Sequence, residues 1–230
     1  MTQQNQTLDV NETIAKSEAF IAKYKKYLII CCVAVAVVAV AWVGGSHYIK
    51  TQNEKGQAEL ALGQRYFMTG EWDKAIKGDG NFKGYEKIAK SYSFTDAANV
   101  AHLYAGLSYF YKGDYKNAIA QLEDFSPKGD ATISANALAA LGNAYAAEKQ
   151  LDKAVSYLKK AADKADNPAL SPLYLLQAGQ VLESEGKKAD ANKLYLRIKN
   201  DYPTSQYSAV NPQGSNVMGA EIDKYIERTK

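Results

Sequence analysis

Few side chains in this chain could act as nucleophile, general base or metal ligand, and those few are scattered. The 230 residues include two histidines, His47 and His102, and two cysteines, the adjacent Cys31 and Cys32. A zinc site needs several His, Cys or carboxylate groups drawn together, usually from closely spaced pairs. Neither histidine has such a partner in sequence. His47 stands at the end of an uncharged run, where an imidazole is an interfacial group, and His102 falls on a helical stretch, where it reads as a packed or solvated side chain. The string Gly78-Asp79-Gly80-Asn81 has the look of a calcium loop but lacks the further carboxylates at the required offsets, so it reads as a turn. No convincing strand exists to carry a glycine-rich phosphate loop. An enzyme would have to be assembled from generic Ser, Lys and carboxylates. The chain therefore reads as non-enzymatic, with no cofactor and no metal.

The elements that would position a binding surface are clearer. Gly106 and Tyr109 are followed twelve residues after the glycine by Ala118; Gly142 and Tyr145 are followed at the same distance by Ala154, and Gly179 and Leu182 by Ala191. The glycine-to-glycine steps are 36 and 37 residues. Small residues at two fixed offsets let the backbones of two crossing helices approach closely. Leu122 and Phe125, Leu158 and Ala161, and Tyr195 and Ile198 lie one and two turns beyond the alanines, the buried stripe of a second helix. Between the helices lie Lys112-Gly113-Asp114, Glu148-Lys149-Gln150 and Glu185-Gly186-Lys187. Pro203 follows Ala191 by twelve residues, where it restrains the helix from continuing. In three registers this pattern resembles the tetratricopeptide repeat, whose units are antiparallel helix pairs that must stack to bury their apolar faces.

A fourth, altered copy comes first. Leu62-Gly63 and Tyr66, then Gly70, Trp72 and Ala75, keep the offsets, yet Gly106 follows Gly63 by 43 residues. The excess falls naturally in Lys77-Gly78-Asp79-Gly80-Asn81, after which Phe82, Tyr85, Ile88 and Ala89 resume helical spacing. The second helix of this unit is expected to break at an inserted turn and restart. Such a turn is either a surface insertion or a partner-facing loop.

The resemblance implies a concave groove lined by the first helix of each unit. Carried onto this chain, it assigns Gln57, Leu60, Gln64, Phe67 and Met68 to the first unit and Val100, Leu103, Leu107, Phe110 and Tyr111 to the second. The third receives Asn136, Ala139, Asn143, Ala146 and Ala147, and the fourth Leu173, Leu176 and Gln180. Such a surface suits an apolar or amphipathic segment better than an acidic tail. The phenylalanines, Tyr111 and Met68 would supply apolar contact, and Asn136 and Asn143 hydrogen bonds. A fold-back of the C-terminal helix or of the segment near Phe82 would fill the groove instead.

Ahead of the repeats, Tyr27 to Gly45 contains no charge and is dominated by Val, Ala and Ile. At about 1.5 Å per helical residue it reaches roughly 28 Å, near the thickness of a bilayer core. Residues 27–48 are therefore expected to span a membrane. Lys16, Lys23, Lys25 and Lys26 precede the run, which places the 1–26 tail in the cytoplasm and the rest across the membrane. Trp42 and Tyr48 suit the far interface, Tyr24 and Tyr27 the near one. The length of the run and of its tail argue against a cleaved signal peptide. Ile30 before Cys31 argues against a lipoprotein anchor, so the two cysteines read as apolar filling. Without a long linker, the repeats should sit close to the membrane. Net charge is +3, with Lys interleaved among Asp and Glu, so nucleic acid is not an expected partner.

The expected fold is all-α: one N-terminal transmembrane helix, then an α-solenoid over 53–203 of about four helix pairs (57–92, 97–127, 133–166, 170–203), then a loop and capping helix in 204–230. Asn216 to Arg228 supplies that last helix. The order of basic tail, single span, Gly-Asp-Gly-Asn insertion, Ala101-His102-Leu103-Tyr104-Ala105-Gly106 and Gly113-Asp114-Tyr115 resembles membrane-anchored tetratricopeptide proteins common in Bacteroidota. In layout it is also similar to the ancillary subunit of the SecYEG translocon, a single-span protein with a periplasmic repeat domain. These resemblances imply an inner-membrane protein that binds other proteins: translocon subunits, a periplasmic chaperone or emerging chains. A scaffold for cell-wall synthesis or outer-membrane protein assembly is the alternative.

Overall fold

In the computed structural model, described over residues 10–208 and 221–230, every element is an α-helix. The chain divides into two units, Met1–Thr51 and Gln52–Lys230. The first is helical from Val10 onward, the N-terminal part of α1 (Val10–Met68), so helix extends beyond both ends of the apolar run 27–48. Phe20, Ile30, Val35, Val40 and Trp42 are all exposed there. The most apolar stretch of α1 has mean hydropathy 2.7, making it long and apolar enough to cross a membrane.

In the second unit the small residues sit where helices cross. The last turns of α1 are followed by α2 (Trp72–Lys77) and α3 (Tyr85–Ser91). Next come the pairs α4 (Asp96–Lys112) with α5 (Tyr115–Asp124), α6 (Ala131–Ala147) with α7 (Leu151–Ala165), and α8 (Ser171–Ser184) with α9 (Lys188–Asp201). A Cβ on Gly106 would stand 2.6 Å from Leu122 Cγ, and one on Gly142 would stand 2.9 Å from Leu158 Cγ and 3.1 Å from the Ala154 carbonyl oxygen. One on Gly179 would collide with the Tyr195 ring. In each pair the side chain filling the crossing lies sixteen residues after the glycine. Ala118, Ala154 and Ala191 are fully buried in the same crossings.

The turns between paired helices repeat as closely. Gly70, Gly113, Lys149 and Gly186, each seven residues after its repeat glycine, have φ of 72°, 84°, 59° and 73°. That left-handed residue lets the next N–H reach back: Glu71, Asp114, Gln150 and Lys187 each donate 2.9 Å to the carbonyls of Tyr66, Tyr109, Tyr145 and Leu182. This is the six-to-one bond that closes a helix C-terminus. The tyrosine at the third position then ties elements together. Tyr109 donates its hydroxyl to Glu86 of α3 at 2.8 Å, and Tyr145 donates to Glu123 of α5.

The inserted turn is built into the core. Gly106 follows Gly63 by seven residues more than the 36-residue step, the length of the segment 78–84. Gly78 and Gly84 both have positive φ (83° and 85°), and a Cβ on either would collide with the backbone of the other limb. The segment is thus a closed loop whose ends touch. Asp79 holds it by accepting from the backbone N–H groups of Asn81 (2.8 Å) and Phe82 (3.0 Å) and from the Tyr66 hydroxyl. Phe82, 2% exposed, packs with Tyr85 against Gly63, taking the place that Leu122 and Leu158 hold in later units.

Helix α9 stops at Asp201, ahead of Pro203. The final helix, α10, is described over Glu221–Arg228; the expected start at Asn216 and the residues to Ala220, including Val217, lie outside the described residues. Ile222 and Ile226 are buried with Leu194, Tyr195 and Ile198, so α10 covers α9. Arg228 grips Glu183 through Nε (2.9 Å) and Nη2 (2.6 Å), while the Tyr195 hydroxyl donates to the same carboxylate at 2.5 Å. Phe82 shares with Leu60 a core cluster against which Phe67 also packs.

Candidate protein-binding surface

Charge is partitioned between the two kinds of helix. Helix α6 has no charged residue, α4 has only Asp96 at its start and Lys112 at its end, and α8 has only Glu183. Helix α7 carries Asp152, Lys153, Lys159, Lys160, Asp163 and Lys164, and α9 carries Lys188, Asp190, Lys193, Arg197, Lys199 and Asp201. Ion pairs such as Arg197–Asp163 at 2.8 Å link the second helices on their solvated side. The first helices keep an uncharged face.

Between α4 and α6 that face opens into a cleft of about 340 Å³ lined by Asn99, Val100, Leu103, Tyr104, Leu107, Phe125, Lys128, Asp130, Ile133, Asn136 and Ala137. Leu103 forms its floor, 7% exposed, and Ile133 its most open apolar wall at 52%. Asn136 is exposed, but its Oδ1 already accepts the Tyr174 hydroxyl at 2.6 Å. Its NH2 is the group offered to a ligand. Asp130, also in the lining, caps α6 by accepting the Ile133 N–H at 2.8 Å.

A second apolar group joins the end of α1 to α2, α4 and α5. Phe67 meets Tyr104 edge-on with ring centroids 5.0 Å apart, and Trp72 stacks on Tyr111 at 5.2 Å. Phe110 touches both Tyr111 and Tyr115. Met68 and Tyr111 are exposed, at 77% and 58%. Such edge-on and stacked pairs lock rings into a fixed surface.

The residues assigned to a groove from sequence thus fall into separate places. Val100, Leu103, Leu107 and Asn136 line one cleft, while Phe67, Met68, Phe110 and Tyr111 lie in or beside the aromatic group. Gln57, Gln64 and Gln180 are exposed on their helices. Asn143 donates to Gln177 at 3.4 Å, and Leu173 packs partly buried against the core. Leu60 and Leu176, each 7% exposed like Leu103, pack in core clusters and do not line the cleft. Sequence reasoning missed Phe125, Ile133, Tyr104, Trp72 and Tyr115. Ile133 was recoverable, since it lies one turn before Asn136 on the same face; Trp72 and Tyr115 come from second helices, which the family offsets do not sample.

Two tyrosines that tie helices together have displaced equilibria. Burial, then the bond to Glu86, pushes the Tyr109 hydroxyl up; burial and Glu123 do the same to Tyr145. His102 Nδ1 lies 3.0 Å from Gln121 Oε1 on the α4–α5 side. Among the described residues no three His, Cys, Asp or Glu groups converge on one point.

Residues 18–216 match the sequence model of the tetratricopeptide repeat-like domain. The chain belongs to that family. Its structure is similar to the nearly identical TPR-like repeats of a Podosopora anserina protein assigned as a kinesin light chain, with TM-score 0.55 and 13% identity over 77% of this chain and 86% of that one. A point variant of the same repeats gives TM-score 0.54 at 13% identity, covering 77% and 85%. At that identity the likeness is one of fold. Among curated proteins no match was found. A tetratricopeptide repeat-like fold is typically a scaffold for other proteins, and no catalytic family is indicated.

Proposed function

We propose that this protein is an envelope scaffold: anchored in a bacterial inner membrane by residues 27–48, with its N-terminus cytoplasmic, it presents the repeat unit in the periplasm to bind apolar polypeptide segments. The observation that carries this reading is the largely apolar cleft between α4 and α6, walled by Val100, Leu107 and Ile133 and floored by Leu103, with Lys128 and Asp130 the only charged residues among its lining. An acidic tail would meet one cation, Lys128, set against the Asp130 carboxylate, whereas an apolar side chain would displace water from apolar walls. The exposed amide of Asn136 can hold the backbone of such a segment in register.

The basic tail, single span and periplasmic repeats resemble the ancillary translocon subunit, and that resemblance makes the Sec channel the favoured place of action. There the cleft would hold emerging chains or the apolar surface of a chaperone. Photo-crosslinking from Ile133 in cells tests the reading: adducts with other envelope proteins support it, and their absence contradicts it.

A further inference from the structure

Phe94 is the most exposed large apolar side chain among the described residues, at 94%. Its φ is 68°, a conformation that bulky side chains adopt at a cost and glycine adopts freely. Thr95 fixes it there: its N–H and hydroxyl both donate to the Tyr92 carbonyl, at 3.2 and 2.6 Å, while its Oγ1 caps α4 by accepting from the Ala98 N–H at 3.1 Å. The turn would form more readily with glycine, and the ring gains no cover from the protein. Its value must lie in what it meets outside.

The loop that carries Phe94 is fastened to the first residues of the second unit. Asn53 Oδ1 accepts the Ala97 N–H at 2.8 Å, and Gly56 packs so tightly on Ala97 and Tyr92 that a Cβ there would stand 2.6 Å from the Ala97 methyl. Asn53 follows Tyr48, the last aromatic of the apolar run, by five residues. Even fully extended, that link spans at most about 18 Å. Lys87 and Lys90 are exposed on α3, and Lys128 lines the cavity beside Phe94, together with Asp96 and Asp124.

We propose that Phe94 inserts into the lipid headgroup region and seats the α3–α4 loop on the membrane surface. The inference rests on residues 27–48 being a membrane span. An aromatic side chain at a tethered, membrane-near loop transfers favourably into the interface, with neighbouring lysines meeting lipid phosphates. Because carboxylates share the cavity, the ring and not net charge carries the insertion.

The test uses the full chain with Cys31 and Cys32 replaced by serine, reconstituted in phosphatidylethanolamine/phosphatidylglycerol nanodiscs. A single cysteine at Ser93 carries an environment-sensitive fluorophore, and a second sample carries it at Val37. Spin-labelled lipid should quench the Ser93 probe, and the F94G change, which suits the left-handed backbone and so preserves the turn, should abolish that quenching. An unquenched Ser93 probe beside a quenched Val37 probe would overturn the inference while leaving the span intact. If neither probe is quenched, the span reading fails and takes the inference with it.

Discussion

Gly142 of α6 and Leu158 of α7 meet where their helices cross, the Leu158 side chain resting on the glycine backbone with no room for a methyl group between them. The same relation holds between Gly106 and Leu122 and between Gly179 and Tyr195. Three crossings built alike fix the separation of the two helices within each pair.

Replacing Gly142 by alanine should therefore destabilise the repeat unit. The added methyl would press on Leu158, which is fully buried, and on the Ala154 carbonyl, neither of which can withdraw. Overpacking of this kind costs about 1–3 kcal/mol, against a gain of about 1 kcal/mol for removing glycine from a helix interior. Urea denaturation should show a net loss of stability for G142A; a more stable variant would mean that the crossing is looser than described.

Lys149 occupies the left-handed turn position that glycine holds in the other three units, with φ of 59°. K149G should stabilise the protein by about 0.5–1 kcal/mol, the left-handed strain relieved less the added backbone entropy of glycine in the unfolded chain. Thermal unfolding of the two proteins measures the difference, and no gain would show that Lys149 is held there by interactions of its side chain.

Acid should release the capping helix. Arg228, and then the Tyr195 hydroxyl, hold the Glu183 carboxyl below its ordinary value of 4.5. A carboxylate with a depressed folded-state pKa stabilises the fold at neutral pH and ceases to do so as pH falls through that lowered value. Amides of α10 should lose hydrogen-exchange protection, corrected for intrinsic rates, below about pH 4.5. R228Q should show the same loss at pH 7. Unchanged protection at low pH in the wild-type chain would mean that Ile222 and Ile226 alone retain the helix.

How far the fold could be read depended on whether its cause was local. Gly106, Gly142 and Gly179 announce their crossings because close packing demands a small residue whatever lies opposite. The break after Lys77 was equally legible, since Gly78 and Gly84 serve a backbone shape. The inward turn of Phe82 was not: turn residues tell where a helix stops, and only the space left over Gly63 tells where the loop goes. Asn136 shows the same limit within the site, because its partner Tyr174 is 38 residues away. Within the aromatic group Phe67, Phe110 and Tyr111 were legible, while Trp72 and Tyr115 escaped because they come from second helices and the family offsets sample only the first.

The central claim is that the uncharged face of the first helices is where other proteins bind. The most direct measurement places a photo-crosslinking amino acid at Ile133 in the cleft and, separately, at Lys159 on the charged face of α7, in cells producing the full chain. The account predicts adducts with other envelope proteins from Ile133 and not from Lys159, mapping by mass spectrometry to apolar stretches of translocon subunits, a periplasmic chaperone or exported chains. Adducts from Lys159 alone, or from Ile133 only to residues of this same chain, would contradict it.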